Sequence, residues 1–174
     1  GLFRELNRRK GLSATLHLYG SKDLFETQIQ DLMNDFSDVN IADHGFLFGR
    51  EMYEAMREQD LYVQYSRFEA FGMSLVEAML LGVPAIVSEN CDLAKEITDA
   101  RAALVVPMDP ARAADLVAAA LSEPSNLTDL AARGRAWALE TCDPGAVEAR
   151  MHDFYLKAAN APLRGAPSRS EPPG

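Results

Sequence analysis

Two glutamates, Glu69 and Glu77, flank a glycine-led turn and are the residues of this sequence best placed to do chemistry. Gly72 lets the backbone turn sharply and approach a ligand without a side chain in the way. Met73 and Ser74 follow at the start of a helical pattern, and the backbone amides of a helix N-terminus attract anions. Carboxylates accept hydrogen bonds from hydroxyl groups. The stretch therefore predicts a site for a phosphate-sized anion that also carries sugar hydroxyls.

The same spacing also has a purely structural interpretation. Ser74 and Glu77 match a capping box, in which the glutamate only returns to the backbone of the serine. Phe71 could be an ordinary core aromatic, and Gly72 an ordinary turn residue. Glu69 has no equally simple structural interpretation, because it is an acid in a strand-to-helix loop that can face a crevice. Spacing alone leaves both interpretations of Glu77 open.

Short β-type runs alternate with longer helical patterns along the chain. The pattern predicts strands over residues 15–19, 39–41, 61–65, 84–88 and 103–106. It predicts helices over residues 2–9, 25–36, 52–56, 74–81, 110–121, 126–141 and 143–159. This alternation indicates an α/β fold of right-handed βαβ units with a mostly parallel sheet and helices at the C-terminal end. Ligands of such sheets bind beyond the carboxyl ends of the strands, where the 69–77 segment begins.

Composition excludes several classes of function. The 174 residues carry a formal net charge of −9, which argues against nucleic acids and anionic membranes as partners. The longest nearly apolar stretch, residues 73–87, is too short and too interrupted to span a bilayer. Cys91 and Cys142 lack metal-type spacing, so we expect reduced thiols in a cytoplasmic protein. Residues 1–160 are predicted to form one domain and the Pro- and Gly-rich residues 161–174 a disordered tail.

The segment around Glu69 and Glu77 also resembles a known enzyme family. The run from Glu69 to Met79, followed by residues 82–88, resembles the donor-binding half of the family-4 retaining glycosyltransferases. Their hallmark is a glutamate, seven residues and a second glutamate, here Glu69 and Glu77. The Glu-Ala-Met and Gly-x-Pro elements of the family follow in register, and the resemblance covers roughly residues 11–158.

The resemblance implies a GT-B enzyme of the hexosyltransferase type, with two Rossmann-like domains around a cleft. This chain would be the C-terminal, donor-binding domain, truncated at its N-terminal side. Its ligand would be a nucleotide-diphosphate sugar, and the sugar would pass to a sugar, lipid or protein acceptor with retention of configuration. The acceptor would be held by an absent N-terminal domain. No metal or other cofactor is implied.

The resemblance also implies roles for individual residues. Glu69, the candidate catalytic residue, would contact hydroxyls of the transferred sugar, and Glu77 would accept hydrogen bonds from the ribose. Sugar and diphosphate would be held by backbone groups of Phe71, Gly72, Met73 and Ser74. Backbone near Phe46 and Leu47 would contact the base. Where the family usually has Gly-Gly after the Pro-led strand, this chain has Glu89 and the three residues after it.

The first strand of the family's donor domain, and the basic residues after it that pair with the diphosphate, precede the part matched here. We therefore expect the chain alone to be inactive, and its sheet to lack the central strand or to close that position differently. Two other functions stay open: a non-catalytic nucleotide-binding or protein-interaction module of the same fold, and a GT-B sugar-nucleotide epimerase or phosphorylase.

Overall fold

The computed structural model describes residues 1–9, 12–20 and 38–161. Within these ranges each predicted strand is present, shifted or shortened by a residue or two. The strands are β1 (Thr15–Leu18), β2 (Asn40–Asp43), β3 (Tyr62–Gln64), β4 (Ala85–Ser88) and β5 (Leu104–Val106). Pro84 lies just outside β4, because proline has no amide hydrogen to give to a sheet. The helix expected over residues 25–36 and the tail beyond residue 161 lie outside the described residues.

Seven helices are described. They are α1 (Leu2–Asn7), α2 (Arg50–Arg57), α3 (Met73–Leu80), α4 (Ala94–Ala100), α5 (Pro110–Leu121), α6 (Pro124–Thr141) and α7 (Pro144–Asn160). Helix α4 was not predicted from the sequence. It has one fully buried residue, Ile97, so its apolar periodicity is too weak to show. It makes the crossover that two parallel neighbours such as β4 and β5 require.

The strands form two parallel sheets, which confirms a Rossmann-like α/β fold. One sheet pairs β1 with β2, and the other has the order β3-β4-β5. Among the described residues, no hydrogen-bonded ladder joins β1 to β3. Strand β4 is buried along its whole length, as expected for the central strand of a parallel sheet covered by helices.

The core is built on β4 and on helices that cover it. Leu75 and Met79 of α3 are fully buried, and so is Ile97 of α4. A second cluster brings Leu2 and Leu6 of α1 together with apolar residues of β4, β5 and α5, namely Ile86, Val106, Ala113, Ala114 and Val117. The pairing of β3 with β4 and the buried face of α3 hold the two elements that carry the 69–77 segment.

The chain divides into two compact units between Leu139 and Glu140. The first unit contains both sheets and helices α1 to α5, together with most of α6. The second contains α7, which is capped at its N-terminus by Asp143 through a hydrogen bond from the amide of Ala146. No residue of α7 is buried.

Candidate functional site

The glutamate-flanked segment forms a tight turn that leads from β3 into α3. Gly72 is the N-cap residue of α3 and has φ 71°, a left-handed conformation that glycine adopts at little cost. Glu69 holds the turn closed, because its Oε1 accepts a hydrogen bond of 3.0 Å from the amide of Gly72. Glu69 therefore has a structural role that the sequence did not reveal, and one carboxylate oxygen that this bond leaves open.

The N-terminus of α3 presents unpaired amide groups. The amides of Leu75 and Val76 donate to the carbonyl of Gly72, at 3.0 and 3.2 Å. The amides of Met73 and Ser74 have no acceptor among the described residues, and both residues are exposed. Two amide donors at the positive end of a helix dipole form a site suited to an anion.

Glu77 lies one turn into α3 and does not form a capping box. Gly72 is the N-cap and α3 has no side-chain cap, so the capping interpretation of Ser74 and Glu77 is wrong. The Glu77 carboxylate instead accepts a hydrogen bond of 3.3 Å from the hydroxyl of Tyr53 in α2. Glu77 is thus directed toward α2 and not back to the backbone at the start of its own helix.

Two residues of β3 extend the site beneath the turn. The hydroxyls of Tyr62 and Ser74 are 2.7 Å apart, and the Tyr62 hydroxyl lies 3.4 Å from Oε1 of Gln64. Burial raises the pKa of Tyr62 more than its hydrogen bond with Ser74 lowers it, and the negative charges of Glu69 and Glu77 raise it further, so the phenol keeps its proton. Tyr62 therefore lies within electrostatic reach of both predicted site glutamates.

Gln64 is 7% exposed and packs directly against the turn. A Cβ atom at position 72 would lie 2.7 Å from Nε2 and 2.9 Å from Oε1 of Gln64. Its Nε2 is a buried donor without a hydrogen-bond partner among the described residues. Such orphaned donors are rare in folded proteins, so this one calls for an explanation.

Sequence reasoning missed Tyr53, Tyr62 and Gln64 as site residues. Gln64 carried a signal, since it is a polar residue inside a strand of otherwise apolar and aromatic side chains. Tyr53 carried none, because its contact with Glu77 joins residues 24 positions apart in two different helices.

The loop after β4 supports the turn from the other side. Cys91 forms an isolated parallel bridge with Glu69, and the amide of Asp92 donates to the Glu69 carbonyl at 2.9 Å. The Asn90 side chain donates to the carbonyl of Arg67 at 3.0 Å. This loop lacks the family's usual Gly-Gly. All of its residues have negative φ, so no position in it requires a glycine. The loop fastens the backbone at Glu69 without any left-handed residue.

Aromatic rings collect near the ends of β1 and β2. His44 stacks against His17 and Tyr19 with ring centroids 5.0 and 4.8 Å away, and the nitrogens His17 Nδ1 and His44 Nε2 are 2.9 Å apart. Phe46 follows and is 66% exposed. Phe46 and Leu47, the residues expected near the base, thus lie in the loop between β2 and α2. Helix α2 connects this loop to Glu77 through Tyr53.

The described part of the chain contains no group of three or more His, Cys, Asp or Glu side chains arranged to hold a metal ion. No helix in it is both long and apolar enough to cross a membrane.

Comparison with known proteins identifies the family. The family model described as glycosyl transferases group 1 matches residues 2–137, which include both sheets and the whole 69–77 segment. The chain belongs to this family. The glycosyltransferase resemblance of the sequence is thereby confirmed.

Two curated relatives match this group 1 glycosyltransferase chain over about half of its length. A mannosylfructose-phosphate synthase of Agrobacterium fabrum is 30% identical over 99 residues, which are 52% of this chain and 22% of the relative. An uncharacterized 41.2 kDa protein of the Klebsiella pneumoniae cps region is 29% identical over 83 residues, 48% of this chain and 23% of the relative. The matched part thus spans less than a quarter of either relative.

Solved structures share the fold of this glycosyltransferase chain. Anabaena Alr3699/HepE in complex with UDP-glucose has a TM-score of 0.74 at 18% identity, over 90% of this chain and 44% of that one. The sucrose-phosphate synthase of Thermosynechococcus elongatus has a TM-score of 0.69 at 23% identity, over 83% and 38%. The C-terminal domain of the group 1 protein LpcC from Francisella tularensis, solved by itself, has a TM-score of 0.55 at 22% identity, over 70% and 63%.

Proposed function

We propose that this chain is the donor-binding domain of a retaining glycosyltransferase and binds a nucleoside-diphosphate sugar at the N-terminus of α3. The observation that carries the proposal is the arrangement at Gly72: two free amides, with a half-buried glutamate on each side. The amides and the helix dipole would bind the diphosphate. Glu77 would accept hydrogen bonds from the ribose, and Glu69 from the transferred sugar.

A structural neighbour suggests a uridine nucleotide as the first ligand to test. The HepE neighbour was solved with UDP and with UDP-glucose. We propose that Phe46 and Leu47 contact the base, since their loop lies at the end of β2.

In the proposed reaction, the bond from the anomeric carbon to the diphosphate oxygen would break. The acceptor hydroxyl oxygen would bond to that carbon on the same face, and its proton would leave with the diphosphate. We propose that no metal is needed.

An acceptor-binding domain is part of this proposal. The chain corresponds to 44% of the HepE neighbour and to less than a quarter of its curated relatives. We propose that the chain acts with such a domain and is inactive without it. A further parallel strand between β1 and β3 would join the two sheets, which share no hydrogen-bonded ladder among the described residues.

Replacing Glu77 with alanine is expected to remove most of the nucleotide binding. The full-length protein is melted alone and with UDP, GDP or ADP. A ligand at about 100 times its Kd stabilises the folded state by roughly 2.7 kcal/mol. We expect one nucleotide to produce such a shift in the wild type, and Glu77→Ala to lose most of it because the ribose hydroxyls lose their acceptor.

Glu96→Ala is the matched control, since Glu96 is an exposed glutamate of α4 and its loss removes the same charge. A shift that survives Glu77→Ala would contradict the proposed site. A nucleotide shift without any sugar transfer by the full-length protein would favour the non-catalytic module. Release of an epimer or a sugar phosphate would favour the epimerase or phosphorylase.

Glu69→Gln is expected to separate the two roles of Glu69. An amide oxygen can still accept the hydrogen bond from Gly72, so folding and nucleoside-diphosphate binding should change little. Transfer of the sugar should fall by about tenfold or more, because a charge-assisted hydrogen bond is replaced by a weaker neutral one. Initial rates and UDP titrations measure both. Unchanged transfer by Glu69→Gln would contradict the sugar-binding role.

A further inference from the structure

Gln64 lies beneath the proposed anion site with a donor that nothing satisfies. Gln64 is only 7% exposed, and its amide lies against Gly72, the N-cap of α3. Nε2 has no hydrogen-bond partner among the described residues, while Oε1 has only the long contact of 3.4 Å to the Tyr62 hydroxyl. A buried unsatisfied donor lowers stability, so an apolar residue of this size would suit the apo fold better.

The side chains of Gln64, Tyr62 and Ser74 follow one another at hydrogen-bond distances. The direction of these hydrogen bonds decides whether Ser74 attracts or repels an anion. With Oε1 beside Tyr62, the Tyr62 hydroxyl donates to Gln64 and can only accept from Ser74. The Ser74 proton then points inward. Its oxygen lone pairs face the place where an anion would meet the free amides of α3, which is repulsive.

A half-turn of the Gln64 amide reverses every bond. Nε2 takes the place of Oε1 and donates to Tyr62, Tyr62 donates to Ser74, and the Ser74 hydroxyl donates outward. The same amide rotation satisfies the buried donor and turns Ser74 into a third hydrogen-bond donor beside the amides of Met73 and Ser74. Since each hydroxyl has one proton to give, the three groups switch together.

We propose that Gln64 is a positioning residue that acts through Tyr62 to make Ser74 donate to the diphosphate of the nucleotide. This inference rests on the proposed function and adds to it the residue that sets the hydrogen-bond direction. It accounts for a glutamine in the core of β3, because its amide can donate through Tyr62 to Ser74 and an apolar side chain cannot.

Gln64→Met tests the proposal, because methionine keeps the length and volume of glutamine without its polar atoms. The full-length variant is titrated with UDP, GDP and ADP, and its melting midpoint is measured without nucleotide. We expect the affinity for the bound nucleotide to fall about three- to tenfold, the range of one net hydrogen bond. We expect the melting midpoint without nucleotide to stay equal or rise. If the glutamine had only a structural role, its removal would lower this midpoint.

A double-mutant cycle shows whether the effect passes through Ser74. In a Ser74→Ala background, Gln64→Met should change the affinity less than about twofold, since the outward donor is already gone. Tyr62→Phe is the second variant, should Gln64→Met fail to fold. Tyr62→Phe removes the hydroxyl that links Gln64 to Ser74. The effect of this variant on nucleotide affinity should likewise disappear when Ser74 is alanine.

The outcomes separate this inference from the proposed function. Wild-type protein that binds none of the three nucleotides would overturn both. Nucleotide binding that Gln64→Met leaves unchanged, or weakens equally in the presence and absence of the Ser74 hydroxyl, would overturn the positioning role alone. Loss of affinity that depends on Ser74, without loss of apo stability, would establish it.

Discussion

Gly72→Ala is expected to lower the free energy of unfolding by about 3 kcal/mol, combining left-handed strain and overpacking. At φ 71° a side chain is strained, and its Cβ would lie 2.7 Å from the buried Gln64 Nε2. Either the buried Gln64 amide or the turn that carries the Glu69 hydrogen bond and the free amides of α3 would have to move. Nucleotide binding should be lost together with stability. Denaturant unfolding and a UDP titration measure the two effects.

Two further variants divide this effect into its parts. Gly45 has φ 70° and no atom within 4 Å of an added Cβ, so Gly45→Ala should show the cost of strain without the overlap. Adding Gln64→Ala to Gly72→Ala removes the overlapping amide and should restore some of the stability. Equal losses at positions 72 and 45 would show that the contact with Gln64 does not constrain the turn.

Gly134→Ala is the second change with a large expected effect, a loss of about 1 to 3 kcal/mol from overpacking. Gly134 is buried in α6, where an added Cβ would lie 2.7 Å from the carbonyl oxygen of Ala102 and 3.4 Å from the side chain of Met79. The carbonyl belongs to the backbone just before β5 and cannot rotate away. Helix α6 would have to move away from the Ala102 backbone and from Met79 of α3. Denaturant unfolding of the full-length protein measures the loss.

The sign of this effect is informative, because alanine is a better helix former than glycine by about 1 kcal/mol. Ala136→Gly, on an exposed position of the same helix, calibrates that preference. If packing at Ala102 did not matter, Gly134→Ala would stabilise the protein by the amount that Ala136→Gly destabilises it. Stabilisation by Gly134→Ala would therefore contradict close packing of α6.

Sequence patterns predicted the α/β class, the described strands and most helix bounds, because local periodicity reports which face of an element is buried. They did not predict α4, whose single fully buried residue leaves no periodic signal. They also left the capping-box interpretation of Ser74 and Glu77 open. Helix α3 begins one residue earlier than expected, at Met73, so that Gly72 rather than Ser74 is the N-cap.

The amino-acid sequence by itself determined the family and the order of the chemical groups in the 69–77 segment: a glutamate, a glycine at the turn, the helix start and a second glutamate. Those relations are local, since a turn and a helix set them over a few residues. Only the tertiary structure decided the partners of these groups. Tyr53 reaches Glu77 from another helix, and the buried amide of Gln64 lies under Gly72. Such contacts depend on how β3, α2 and α3 pack, and packing is specified by the whole core and not by spacing along the chain.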